Sequence, residues 1–295
     1  MQTMSTAAVT IPDMIRSPGY WQTVWRRFRR DPVAMGALIV IVLLVLMAVL
    51  APWVAPQDPY KGMSLRRLRP PGTEGHPLGT DDLGRDMLSR LIYGARLSLF
   101  MGVTPVFLAL FIGSAIGIAA GYLGGWVNTI LMRTIDVFFA FPSVLLAIAL
   151  SGALGAGIAN GLISLTVVFV PPIARVAESV TTSVRSRDYV EAARASGAGS
   201  LSIIRNHILG NVLGPIFVYG MSLIAVSMIL ASGLSFLGLG VKPPEPEWGL
   251  MLNTLRTAIY TQPLLCALPG VMIFITSISF NLLTDGLRSA MDIKD

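Results

Sequence analysis

The chain has 295 residues, of which 54% are hydrophobic and only 13% charged, with a mean hydropathy of +0.69. A soluble domain carries about 25% charged residues, so this composition points to a membrane. A lone cysteine, Cys266, excludes a disulfide framework and a cysteine-built metal site; the net charge of +6 belongs to membrane-flanking arginines before any nucleic-acid role.

The N-terminus is polar to about Tyr20 and then basic, with Arg26, Arg27, Arg29 and Arg30. Between Asp31 and Asp58 lie 26 residues without a charge, enough for one span from Val33 to about Trp53. A cleaved signal peptide is not expected, because the apolar run is too long, begins late, and has no small-x-small site before the Pro-rich Ala51 to Pro56. From Gln57 to Arg96 the chain is polar and turn-rich, and its composition predicts a solvated extramembrane loop of about 40 residues.

Four further uncharged stretches follow: Leu97–Met132, Val137–Ala174, Asn206–Val241 and Thr257–Thr284. As one helix the 38 residues from Val137 would run about 57 Å, nearly twice the ~30 Å hydrocarbon core. The glycines of Gly155 to Gly161 split that stretch into a hairpin. Six spans are thus predicted, near 33–53, 97–122, 134–154, 161–180, 212–237 and 264–284. Six spans put both termini on one side. With the N-terminus inside, the inner segments carry thirteen Arg and Lys against nine outside, Lys294 among the inner ones, which is the sign expected of cytoplasmic termini.

Three pairs at spacing i, i+3 sit at expected helix ends: Arg133/Asp136, Arg175/Glu178 and Asp285/Arg288. They are read as interfacial anchors paired along their own helices. Gly113, Gly117 and Gly121 form a small-xxx-small ridge that admits close approach of another helix. Pro105, Pro142, Pro171 and Pro172 are candidates to kink or end spans. The two histidines, His76 and His207, fit no His-Glu-x-x-His arrangement, there is no Gly-x-Ser-x-Gly elbow, and none of the three lysines follows a glycine. The chain by itself is therefore not a P-loop ATPase.

Among the inner segments, the stretch Asp188 to Gly197 is helix-competent. Asp188 followed by Glu191 is a capping-box pattern that starts a helix at Tyr189; Ala192, Ala193, Arg194 and Ala195 continue it, and Gly197 ends it as a left-handed C′ residue. Ser200 then caps a second short helix, Leu201 to Leu209, which Gly210 closes, with Leu201, Ile204 and Ile208 on one face. Taken alone, Ala193, Gly197 and Ile203 fit the spacing of a DNA-binding helix-turn-helix. The unit is only about 25 residues, lies between membrane spans and lacks a third helix to bury its apolar face, so nucleic acid is not expected as a partner. The plainer alternative is an amphipathic loop lying on the bilayer.

Glu191-Ala-Ala with Gly197, followed by His207-Ile-Leu209, resembles the "EAA" loop of binding-protein-dependent ABC importer permeases. His76-Pro-Leu-Gly-Thr-Asp-Asp-Leu-Gly-Arg-Asp86, Leu88 to Arg96, Phe236 to Gly249 and Asn281 to Arg288 narrow the resemblance to the C-type subunit of the peptide/nickel group. It runs from about Trp25 to Asp292. The chain departs from the family where Gly210 replaces a usual proline, and at Thr284 and Ser289.

The resemblance implies an all-α polytopic membrane protein with six transmembrane helices and a cytoplasmic helix-turn-helix coupling loop. It divides the chain into residues 1–95, an N-terminal helix and external loop, and 96–290, the permease domain with its coupling loop at 185–210. It also implies a non-catalytic subunit of the bacterial inner membrane. That subunit pairs with a homologous permease, takes substrate from an extracytoplasmic binding protein, and couples to two cytoplasmic ATPases through Asp188, Glu191, Ala192, Ala193, Gly197, His207 and Leu209. ATP and magnesium would reside on those partners, with no cofactor bound here. The implied substrate is a dipeptide or oligopeptide, with glutathione and nickel as alternatives. Because the four long stretches lack Asp, Glu, Lys and Arg, the subunit is expected to have little means of fixing a substrate's charges.

Overall fold

A computed structural model describes residues 19–291, so Lys294 and both chain ends lie outside the described residues. All regular structure in the described residues is helical, apart from isolated bridges in the loop after the first span. Five helices are long and apolar enough to cross a membrane, and the count rises to six when a bent pair is taken as one span.

Helix α1 (Tyr20–Phe28) is amphipathic and buries Val24 and Phe28, packing on the last helix of the chain. Asp31 then starts α2 (Pro32–Val49): its Oδ1 accepts from Val33 N at 2.9 Å and Ala34 N at 3.1 Å, while Pro32 fills the first position, where a missing N–H costs nothing. The residues α2 buries, Ala34, Ala37, Ile41, Leu44 and Ala48, recur every three or four positions and form one narrow stripe. Its other faces are apolar and exposed, as lipid contact requires. The short α3 (Ala51–Val54) ends that arm.

Helix α4 (Met87–Leu123) has 37 residues and starts ten residues before the expected 97. At 1.5 Å per residue it is about 55 Å long, so its first turns stand clear of a ~30 Å hydrocarbon core. Arg96 marks the level where the span begins, its Nη2 donating to the carbonyl oxygen of Val49 at 3.0 Å at the end of α2.

The third span is not the straight helix expected over 134–154. It consists of α5 (Gly125–Phe139) and α6 (Ser143–Leu154), bent by 87°. Pro142 occupies the cap of α6, has no N–H to donate, and steers Phe141 out of helical geometry. Helix α7 (Ile158–Arg185) begins inside the predicted glycine turn. Its contact with α4 is the most extensive in the molecule, and it is built on the glycine ridge. A Cβ at Gly113 would meet Ile173 Cβ at 3.0 Å, one at Gly117 would meet Ala177 Cβ at 2.6 Å, and one at Gly121 would meet Thr181 Cβ at 2.8 Å. The paired residues rise together along both helices, so α4 and α7 run parallel.

After α8 (Asp188–Ala195) and a turn, α9 (Ser200–Ile203), a π-helical turn (Ile204–Ile208) and α10 (Leu209–Phe236) form one continuous helical run. Gly210 does not close a short helix, as expected from sequence; it lies inside the run. The chain ends with α11 (Trp248–Leu255) and α12 (Pro263–Met291).

Candidate functional site

The turn between α7 and α10 is held to the bundle by aliphatic plugs. Val190, Ile203 and Ile208 are at most 1% exposed and join the main core, with Ala193, Ile204 and Leu209 packed against it. The face expected to be buried is corrected here: Ile203 and Ile208 point inward, whereas Leu201 is 80% exposed. The helix begins one residue earlier than expected. Arg187 takes the cap position, so Asp188 is the first helical residue and the Asp188/Glu191 capping box does not form. Both acids still lie in the first turn, where the helix dipole favours them. Ser200 likewise sits inside α9, with Gly199 as its cap.

Gly197 does what its sequence position predicts. Its φ is +83°, its N–H donates to Arg194 O at 3.0 Å, and Ala198 N–H donates to Ala193 O at 3.1 Å. These are the two bonds of a Schellman C-cap, which requires the left-handed residue. A Cβ there would meet nothing within 4 Å, so the constraint is backbone shape alone. His207 and Tyr189 come together across the turn, ring centroids 6.3 Å apart; the reading of the sequence gave Tyr189 no role. Asp188, Tyr189, Glu191, Ala192 and Arg194 form an exposed face with Leu201 beside them.

At the other end of the bundle the loop from Gln57 onward is not merely solvated. Its His76–Asp86 motif folds into a buried ionic cap. Asp81 Oδ1 accepts from Leu83 N and Arg85 N, both at 2.9 Å, and its Oδ2 meets Arg85 Nε at 2.6 Å and Arg90 Nε at 3.2 Å. Asp86 caps α4 by accepting from Ser89 N at 2.8 Å, and its Oδ1 lies 3.0 Å from His76 Nδ1. Arg90 Nη1 donates to Pro59 O at 2.9 Å and to Pro244 O at 3.3 Å, tying this loop to the segment before α11. There the Phe236–Gly249 motif supplies a wholly buried Trp248, whose Nε1 donates to Leu91 O at 3.0 Å. Glu247 caps α11 by accepting from Gly249 N at 2.9 Å and Leu250 N at 2.8 Å, and it also accepts from Ser98 Oγ at 3.2 Å. Burial raises the carboxyl pKa of Glu247, and also that of Asp82.

The interfacial pairs rearrange. Arg133 and Asp136 lie 3.8 Å apart as expected, but Arg175 leaves Glu178 and pairs with Asp136 across helices. Glu178 instead accepts from Asn128 Nδ2 at 2.7 Å. Among the described residues no ion pair joins Asp285 to Arg288.

Known proteins share this architecture. The family of binding-protein-dependent transport system inner membrane components matches residues 113–293, and the N-terminal transmembrane domain of oligopeptide transport permease C matches residues 19–71. The glutathione transport system permease protein GsiD of Escherichia coli O157:H7 is 42% identical over 283 residues, covering 96% of this chain and 93% of that protein. GsiD of Shigella boydii serotype 4 gives the same figures, 42% over 283 residues with 96% and 93% covered. In fold, the chain is similar to the inward-facing MetNI methionine ABC transporter, with a TM-score of 0.57 at 18% identity over 69% of this chain and 97% of that one. The chain belongs to the inner-membrane components of binding-protein-dependent transport systems, as a multi-pass permease subunit of an ABC importer.

Proposed function

We propose that this subunit forms half of an importer for short peptides, of the dipeptide, oligopeptide or glutathione kind, and that the α8–α10 turn is where an ATPase drives it. The observation that carries the reading is the Schellman-locked turn, held by Val190, Ile203 and Ile208 between α7 and α10 while its other face stays open. A rigid helix pair of this kind transmits a push on its exposed face to both spans as one body. Asp188, Glu191 and Ala192 form that face and Gly197 shapes it; Ala193, His207 and Leu209 set its seat. The partners are a homologous permease, two cytoplasmic ATPases carrying ATP and magnesium, and an extracytoplasmic binding protein.

In this reading both termini and the α8 turn are cytoplasmic. The ionic cap is external, residues 1–95 supply the accessory arm, and residues 96–290 supply the permease domain, the boundary falling inside α4. The 42% identity to a glutathione permease favours peptide-like cargo. The test is uptake of glutathione and dipeptides by proteoliposomes holding the full complex, with ATP and the binding protein each added or withheld. Uptake should need both. Uptake driven by a proton gradient without ATP would overturn the reading. A Ser64→Cys chain should react with an impermeant thiol reagent in intact cells; labelling only after lysis would reverse the orientation.

A further inference from the structure

The sequence led us to expect little means of fixing a substrate's charges, and charged pairs made along their own helices at the span ends. One of those pairs is made across helices instead. Asp136 and Arg175, 39 residues apart, are joined across α5 and α7. Arg175 lies 17 residues along α7, about 25 Å from its start, towards the far edge of a ~30 Å hydrocarbon core begun at that start. Both side chains are open, 45% exposed for Arg175 and 37% for Asp136. Near that edge a long, half-exposed guanidinium reaches water, so the pair is accessible to a polar solute.

One helical turn from each member of the pair begins the lining of a cavity of about 230 Å³ in the elbow between α5 and α6. Its walls include Phe138 and Phe141 from the bend, Phe169 and Pro171 from α7, and Tyr219 and Leu223 from α10. Asp136 lies one helical turn before Phe139 and Arg175 one turn after Pro171, and both Phe139 and Pro171 line the cavity. Broken helices within membranes are tolerated where they border protein or a watery passage. The bend therefore puts an aromatic bowl next to an ion pair able to exchange partners.

From this juxtaposition we infer that the elbow is a transient substrate subsite for a zwitterionic short peptide bearing an apolar side chain. The side chain enters the bowl, Arg175 takes the carboxylate with its two-pronged guanidinium, and Asp136 takes the ammonium group. Opening one ion pair to make two keeps the charges balanced. Contact of this kind is weak enough to release cargo onward. The inference rests on the peptide reading above and adds where, in this chain, the cargo is touched.

The test separates the two. The permease–ATPase complex is placed in nanodiscs without ATP or binding protein, and equilibrium binding of radiolabelled alanyl-phenylalanine is measured. Wild type should bind saturably, and the C-terminal amide less well. Arg175→Gln and Phe141→Ala should each weaken binding by about tenfold, a change of ~1.4 kcal/mol. The double swap Asp136→Arg with Arg175→Asp keeps an ion pair, and should not restore binding. Full restoration by the swap would make the pair a strap only and overturn the proposal. Loss of assembly in Arg175→Gln, rescued by the swap, would assign this face to the second permease instead. ATP-driven uptake of the peptide without saturable binding sinks this inference alone; absence of uptake sinks the peptide reading with it.

Discussion

In the ionic cap, Asp81, Arg85 and Arg90 are buried and their charges are spent on one another and on backbone carbonyls, whereas in the α8 turn Asp188, Glu191 and Arg194 all face outward. The cap is closed on itself: two segments about 150 residues apart are pinned by Arg90 and Trp248. The turn is closed only from behind, by three aliphatic side chains. Satisfied buried charges make a structure costly to rearrange, while an exposed face on a rigid turn is free to be pushed. The contrast separates a part built to hold shape from a part built to receive force.

The sharpest way to break the contrast is Asp81→Ala. It leaves Arg85 and Arg90 buried without their shared carboxylate, and losing one partner of a buried pair costs about 3–5 kcal/mol. Thermal denaturation of the purified chain should show the loss. A change within about 0.5 kcal/mol would mean that the cap is solvated after all.

Gly197→Val comes next. A β-branched residue at φ +83° carries strain on the order of 1–3 kcal/mol, although the space around it is empty. ATP-driven uptake should fall severely or the ATPase should fail to dock, while the cap keeps its stability. Normal assembly and uptake would refute the lever.

Glu191→Ala should cost the fold little, below about 0.5 kcal/mol, because Glu191 is exposed and makes no capping bond. Any larger defect in ATPase affinity would then report a contact with the partner rather than a structural one.

The smallest effect is a pH dependence. Burial holds the Glu247 carboxyl above its ordinary pKa, so its contribution to stability is fully present below the ordinary carboxylate range and is lost as pH rises through the raised value. Measured against Glu247→Gln, wild type should gain relative stability on mild acidification. Parallel curves would show that the burial carries no titration penalty.

Much of this was legible in the chain itself. Runs without charge counted the spans, because an ionised side chain facing hydrocarbon is costly. Gly197 announced its left-handed turn because that requirement is local to one residue. The four-residue glycine spacing announced a close helix contact, since it lines one face of any helix.

What the sequence could not decide was which distant groups meet. Nothing local tells Arg175 to leave Glu178 for Asp136, or Arg90 to reach Pro244 across 154 positions. Arg187 rather than Asp188 caps α8, so even a strong local motif yielded to how the chain leaves α7. Pro142 marked a break, but nothing in the local sequence specified a bend of 87° or that its two arms would lie against α7. Composition read the cap as a wet loop because burial of a charge depends on the charge it finds, and only the tertiary structure brings Asp81, Arg85 and Arg90 together.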